Sequence, residues 1–246
     1  MGTQADVPAV QVDVDGDVPT LTPSRIWTVV GALTAVGLVI RLAFLDQPMR
    51  FDESMTFLLS IEEGPSDIVS DYAIPNNHIL HNLLAWPLFK AVGAVTPELV
   101  RVPALVAGTA LVPTVAAAAR VHYDDRVAVV AAALTAGSPA LVLYSTNARG
   151  YSLVALGTMA MVGLAGWIRH DGPTPLRWAA LAGAAVATMY TVPAGLLAVA
   201  GVFTWLLVAT WTDSAEDRRA IRTGLLLTGL AATVTAAAAS PVRRER

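Results

Sequence analysis

The chain has 246 residues, of which 55% are hydrophobic and only 14% charged, with a formal net charge of −3. That balance excludes an ordinary soluble domain and a nucleic-acid-binding protein, and it marks a polytopic membrane protein. The absence of cysteine excludes disulfide frameworks, thiolate metal sites and a cysteine nucleophile.

Residues 1–25 carry four Asp among several Pro and Gly, have no apolar period, and read as a disordered cytoplasmic tail. Residues 26–44 form an apolar run broken only by Arg41, long enough to cross a hydrocarbon core of about 30 Å. A cleaved signal peptide is the rival reading, opposed by the acidic residues before the run and the lack of a small-residue cleavage site after it. Residues 45–77 are polar, with seven acidic residues against the single Arg50. Within this loop Phe51, Met55, Leu58 and Leu59 recur at helical spacing opposite Glu53, Thr56 and Ser60. The pattern predicts a short amphipathic helix over 52–61 lying in the membrane interface.

Apolar runs follow at 79–95, 102–119, 127–144, 152–168, 178–190, 192–211 and 224–239. In lipid a backbone must satisfy its own hydrogen bonds, and these runs lack the alternation of barrel strands, so all are predicted to be helices. The expected fold class is all-α: a polytopic transmembrane bundle of about seven to eight apolar helices, with an extracytoplasmic first loop containing the interfacial helix. Small residues, Gly163 with Gly166 and Ala179 with Gly183, let helices approach closely. Counting Lys and Arg sets the sidedness. Arg120 with Arg126, Arg169 with Arg177, and Arg218 with Arg219 and Arg222 mark cytoplasmic connections, so loop 45–78 and the connection 145–151 lie outside. That parity leaves 79–95, which contains His81, Asn82, Pro87 and Lys90, as an interfacial or re-entrant helix.

Four groups of residues are candidates for chemistry. Asp52 and Glu53 form an adjacent carboxylate pair after the first span. They either cap the predicted helix or act as a general base or cation ligand. Pro75, Asn76, Asn77 and His78 precede an apolar helix, as a simple turn or with His78 donating to a phosphate. Arg101 in Leu-Val-Arg-Val-Pro-Ala-Leu and Arg149 in Tyr-Ser-Thr-Asn-Ala-Arg-Gly-Tyr stand at the outer boundary. They either anchor helix ends among headgroups or grip phosphate as planar forks.

The order and spacing of these motifs resembles the membrane glycosyltransferases of the C superfamily, and most closely the branch of dolichyl-phosphate-mannose protein mannosyltransferases and aminoarabinose transferases, glycosyltransferase family 39-like. The resemblance runs over residues 41–190. It implies a domain over 26–240, cut short at its C-terminus, in an integral, multi-pass protein of the cell membrane. It implies an enzyme that moves a sugar, with inversion, from a polyprenyl-phosphate donor to a protein, lipid or glycan acceptor on the extracytoplasmic side, among membrane lipid and with no nucleic acid. Carried over by position, Asp52 is the base or metal-associated carboxylate with Glu53 beside it, and His78, Arg101 and Arg149 contact the carrier phosphate, with Tyr151 beside the last. A divalent cation at Asp52 stays open. Two departures stand out: Ile79 follows His78 where the branch has Pro, and Tyr151, Ser152 and Leu153 replace a segment that often contains Asp. A transporter or flippase of a lipid-linked substrate and an inactive scaffold or fragment are the competing readings. The transporter is disfavoured by clean apolar runs with charges at their edges.

Overall fold

The computed structural model describes residues 22–70, 77–212 and 214–239, and every regular element among them is helical. The expected tail lies outside the described residues as far as position 21. Pro23 already opens the first helix, α1 (Pro23–Ala43), where a proline costs no hydrogen bond. Helix α2 (Phe51–Thr56) passes directly into a π-helical turn, Phe57–Ile61, so the predicted 52–61 helix is present. Its faces suit a lipid surface. Phe51 is 82% exposed, and Leu58 and Leu59 also face outward, while Glu53, Thr56 and Ser60 point inward. A further helix, α3 (Pro65–Ser70), lies in the same loop.

Helix α4 (Ile79–Val92) stops at Gly93, which adopts the left-handed conformation that ends helices. Helix α5 (Pro97–His122) is capped by the Thr96 hydroxyl, which accepts the Leu99 N–H at 3.3 Å. Helix α6 (Asp125–Gly137) begins on Asp124, whose carboxylate accepts the N–H groups of Arg126 and Val127 at 2.8 Å each. The run 127–144 is not one helix. Pro139 lacks the N–H needed to continue α6, and α7 (Pro139–Ser145) leaves at 59°. Then come α8 (Tyr151–His170), α9 (Pro175–Thr191), α10 (Gly195–Ala209) with a 3-10 turn at Thr210–Thr212, and α11 (Ala215–Ala239).

Three helices are long and apolar enough to cross a membrane, Ser24–Ala43, Pro97–His122 and Tyr151–His170, and the bent α6–α7 pair raises the number to four. By length and apolarity the expected seven to eight are not reached, because α4, α9 and α10 have only 14, 17 and 15 residues and α11, with 25, is not among the candidate spans. Polarity is inverted relative to a soluble protein. Val36, Val39, Leu42, Val106, Val130, Leu134 and Leu197 are exposed, while Arg41, Glu53, His78, His81, Arg101 and Arg149 are buried.

Helix α5 is central and packs against α1, α4, α6, α7 and α8. Gly163 and Gly166 face it across α8: a Cβ on Gly163 would touch Ala118, and one on Gly166 would overlap Val121. Gly183 has nothing within 4 Å of a built Cβ, so it serves no such contact. The connections that the basic-residue count separates lie at opposite ends of the bundle. At one end Arg120 pairs with Asp125, the His122 ring packs on Trp205, and Arg169 reaches the Ala209 carbonyl. At the other, Arg101 and Arg149 meet the start of α2. Both ends of α4 belong to this second end, since His78 packs on Tyr151 and Phe89 on Phe57.

Candidate functional site

The second end is built around Glu53 and Arg101. The Arg101 guanidinium grips Glu53 with two bonds, Nε to Oε1 at 2.8 Å and Nη2 to Oε2 at 2.7 Å. Its remaining N–H groups donate to the carbonyls of Leu45 at 2.6 Å, Gln47 at 2.8 Å and Pro48 at 3.3 Å. Five donors are thereby used, the full capacity of an arginine. Glu53 is equally occupied: Oε2 accepts the Arg50 N–H at 2.9 Å and Oε1 the Ala148 N–H at 2.6 Å. The two side chains are 0% and 1% exposed. Burial opposes ionisation of Glu53, but the Arg101 guanidinium and the two backbone N–H groups outweigh it and hold the carboxyl below the usual carboxylate range.

This geometry corrects two expectations. Arg101 has no donor left for a carrier phosphate, and Glu53 has no oxygen left for catalysis. Together they tie the 45–50 loop, α2, α5 and the 146–149 segment into one joint. The Glu53 acceptance of the Arg50 N–H is also half of a capping box at the start of α2.

Asp52 points the other way. Its Oδ2 accepts from Arg149 Nη1 at 2.7 Å, and its Oδ1 accepts the Glu53 N–H at 3.1 Å. The carboxylate is 42% exposed while the Arg149 side chain is 3% exposed. Arg149 also lies over the Tyr151 ring, 5.6 Å from its centroid. Tyr151 meets His78 edge-on at 4.9 Å and Tyr144 at 5.0 Å, and both tyrosines are about two-fifths exposed. Asp52, His78, Arg149 and Tyr151 are therefore brought together, and Arg101 stands behind them.

His78 precedes α4 without making a capping bond. It is 1% exposed, and neither ring nitrogen has a hydrogen-bond partner among the described residues. Burial, then the charges of Arg149 and His81, push its imidazole down to about 3, so the ring is neutral at physiological pH. Neighbouring polar groups have structural partners. Asn77 Nδ2 donates to the Ile68 carbonyl at 2.7 Å, tying α4 to α3, and Asn82 Nδ2 donates to Asn77 Oδ1 at 3.0 Å. Pro75 and Asn76 lie outside the described residues. Gly150 admits the close packing here: a Cβ would overlap the Thr191 methyl and lie 3.1 Å from His78 Nδ1.

Among the described residues no group of three His, Cys, Asp or Glu side chains is placed to hold a metal ion. Asp52 offers one carboxylate already paired with a cation, and saturated Glu53 adds nothing. These residues do not fit a protein-built divalent-cation site. Arg41 belongs to the region and lies outside the four motifs, while Tyr144 opens the fourth of them without an assigned role. The signal for Arg41 is visible in the sequence as the lone charge in an apolar span. No family model matches the chain, and no curated protein or solved structure matches it.

Proposed function

We propose that the chain is an inverting membrane glycosyltransferase that takes a sugar from a polyprenyl-phosphate donor, in the cell membrane and on its extracytoplasmic side. One observation carries the reading. Buried Arg149, paired with an exposed carboxylate, and buried His78, whose ring nitrogens have no hydrogen-bond partner among the described residues, converge beneath that carboxylate and two exposed tyrosines, at one end of an otherwise apolar bundle. A phosphate on a lipid would reach such a site from the membrane surface, with its hydrocarbon chain left in lipid. The motif resemblance supplies the reaction class.

In this account the donor phosphate takes the Arg149 edge that Asp52 now holds, and Asp52 turns to the acceptor. The acceptor oxygen bonds to the anomeric carbon as the bond from that carbon to the phosphate oxygen breaks. The acceptor proton passes to Asp52, and the polyprenyl phosphate leaves on Arg149 and His78. Tyr144 and Tyr151 offer flat faces for the sugar. The reading takes α1, α5, the bent α6–α7 pair and α8 as crossings and adds α9, α10 and α11 to them, with α4 lying along the site end. Against a transporter, the buried charges Arg41, Glu53, Arg101 and Arg149 gather at one end rather than at mid-span. Binding of a polyprenyl phosphate and of the matching polyprenol to the protein in lipid nanodiscs tests the reading. The phosphate should bind and the alcohol should not; equal binding removes the phosphate site.

A further inference from the structure

Arg41 takes no part in the chemistry above, yet it is 0% exposed and has no carboxylate within ion-pair distance among the described residues. A buried cation in a membrane span is costly unless its donors are filled, so its acceptors are informative. Nε donates to Ser145 Oγ at 3.1 Å. Nη1 donates to the carbonyls of Gly37 at 2.9 Å and Ala136 at 3.2 Å, and Nη2 to that of Thr135 at 3.4 Å.

Gly37 belongs to the helix of Arg41 itself; the other three acceptors straddle the break between α6 and α7. In an unbroken helix the Thr135 carbonyl would accept from residue 139, but Pro139 has no N–H to give. The Ala136 carbonyl is another of the last four of α6, which find no partner within their own helix. Ser145 closes α7, one position before the 146–150 segment that sends the Ala148 N–H to Glu53 and Arg149 to Asp52. Gly108 lets α5 press against both partners: a Cβ there would overlap the Ser145 hydroxyl and lie 3.4 Å from Arg41 Nε.

We propose that Arg41 is a positioning residue: it supplies the one donor that Pro139 removes and a second for the end of α6 and, by gripping α6 and α7 on both sides of their break, fixes the angle at which Arg149 is delivered to Asp52. A straight α6–α7 helix would return the Ala136 carbonyl to an internal donor at residue 140 and leave only that of Thr135 unpaired, and it would carry the 146–150 segment away from α2. The bend is therefore what the site requires, and Arg41 is what holds it.

The test uses full-length protein in nanodiscs, with spin labels on cysteines introduced at exposed Phe51 and Leu143, a clean background because the chain has no cysteine. In Arg41→Met the distance distribution between the labels should shift and broaden. Affinity for a polyprenyl phosphate should fall on the order of tenfold. Adding Pro139→Ala restores the missing N–H, so the double variant should recover thermal stability but not the distance. Should Arg41→Met fail to fold, Ser145→Ala is expected to move the distance in the same direction by less. An unchanged distance in the folded variants, or recovery of the distance by Pro139→Ala, would overturn the proposal. The distance arm stands apart from the proposed function and the affinity arm rests on it, so a phosphate that fails to bind the unaltered protein sinks that function without deciding the role of Arg41.

Discussion

Asp52 and Arg149 meet across 97 positions of sequence at 2.7 Å, with the carboxylate on the open side and the guanidinium behind it. An anion that reaches Arg149 must therefore displace Asp52 or share its cation. Asp52→Asn should tighten the binding of a polyprenyl phosphate while it removes transfer, because the competing charge and the proton acceptor are lost together. Titration of the variant in nanodiscs decides this. Weaker binding would mean that Asp52 helps to hold the phosphate, through a cation or directly.

Arg101 and Arg149 should respond differently to the same substitution. Lysine at 149 keeps the charge but not the planar fork, and phosphate affinity should drop with little change in thermal stability. Lysine at 101 loses the two-point grip on Glu53 and the three loop carbonyls, so stability should fall first. Thermal unfolding and phosphate titration of both variants separate the roles, and identical behaviour would undo the distinction.

The Glu53–Arg101 pair is buried, so removing one partner strands a charge. Arg101→Met and Glu53→Leu should each cost about 3–5 kcal/mol, whereas the double variant should cost less than the sum. Unfolding of the three variants in one detergent supplies the cycle. Additive losses would show that the two side chains do not depend on each other.

His78 makes stability depend on pH in a defined direction. Its imidazole is held down to about 3 in the folded chain, against about 6.5 when unfolded. Between those values the unfolded state binds a proton that the folded state refuses, so stability falls as pH falls from about 6.5 towards about 3. His81, also held down, adds to the same slope. The melting temperature of His78→Gln should therefore fall less steeply over this window than that of the unaltered protein. Parallel curves would place the imidazole in water.

Helicity was legible in the apolar runs, and the 52–61 helix in its spacing, because a lipid-facing stripe has the same period as a core-facing one. The break at Pro139 was harder to read, since the apolar run continues unbroken through it. At the site, the sequence marks Asp52, His78, Arg149 and Tyr151, which do meet. It cannot distinguish Arg101 from Arg149, as both are arginines at span ends. What separates them is whether the fold brings a buried carboxylate and a loop of free carbonyls to one of them, and that is decided by the path of residues 45–50. Tyr144 opens the motif that contains Arg149, but only the fold shows that its ring packs on that of Tyr151.

The central claim is sugar transfer that depends on Asp52. Purified protein in lipid, supplied with a radiolabelled polyprenyl-phosphate sugar and cell-envelope acceptors, should transfer label to the acceptor fraction. Asp52→Asn should lower the rate on the order of 10²- to 10⁴-fold, the usual cost of losing a positioned base. Equal rates in the two proteins, or no transfer by the unaltered one with a panel of donor sugars, would contradict the account.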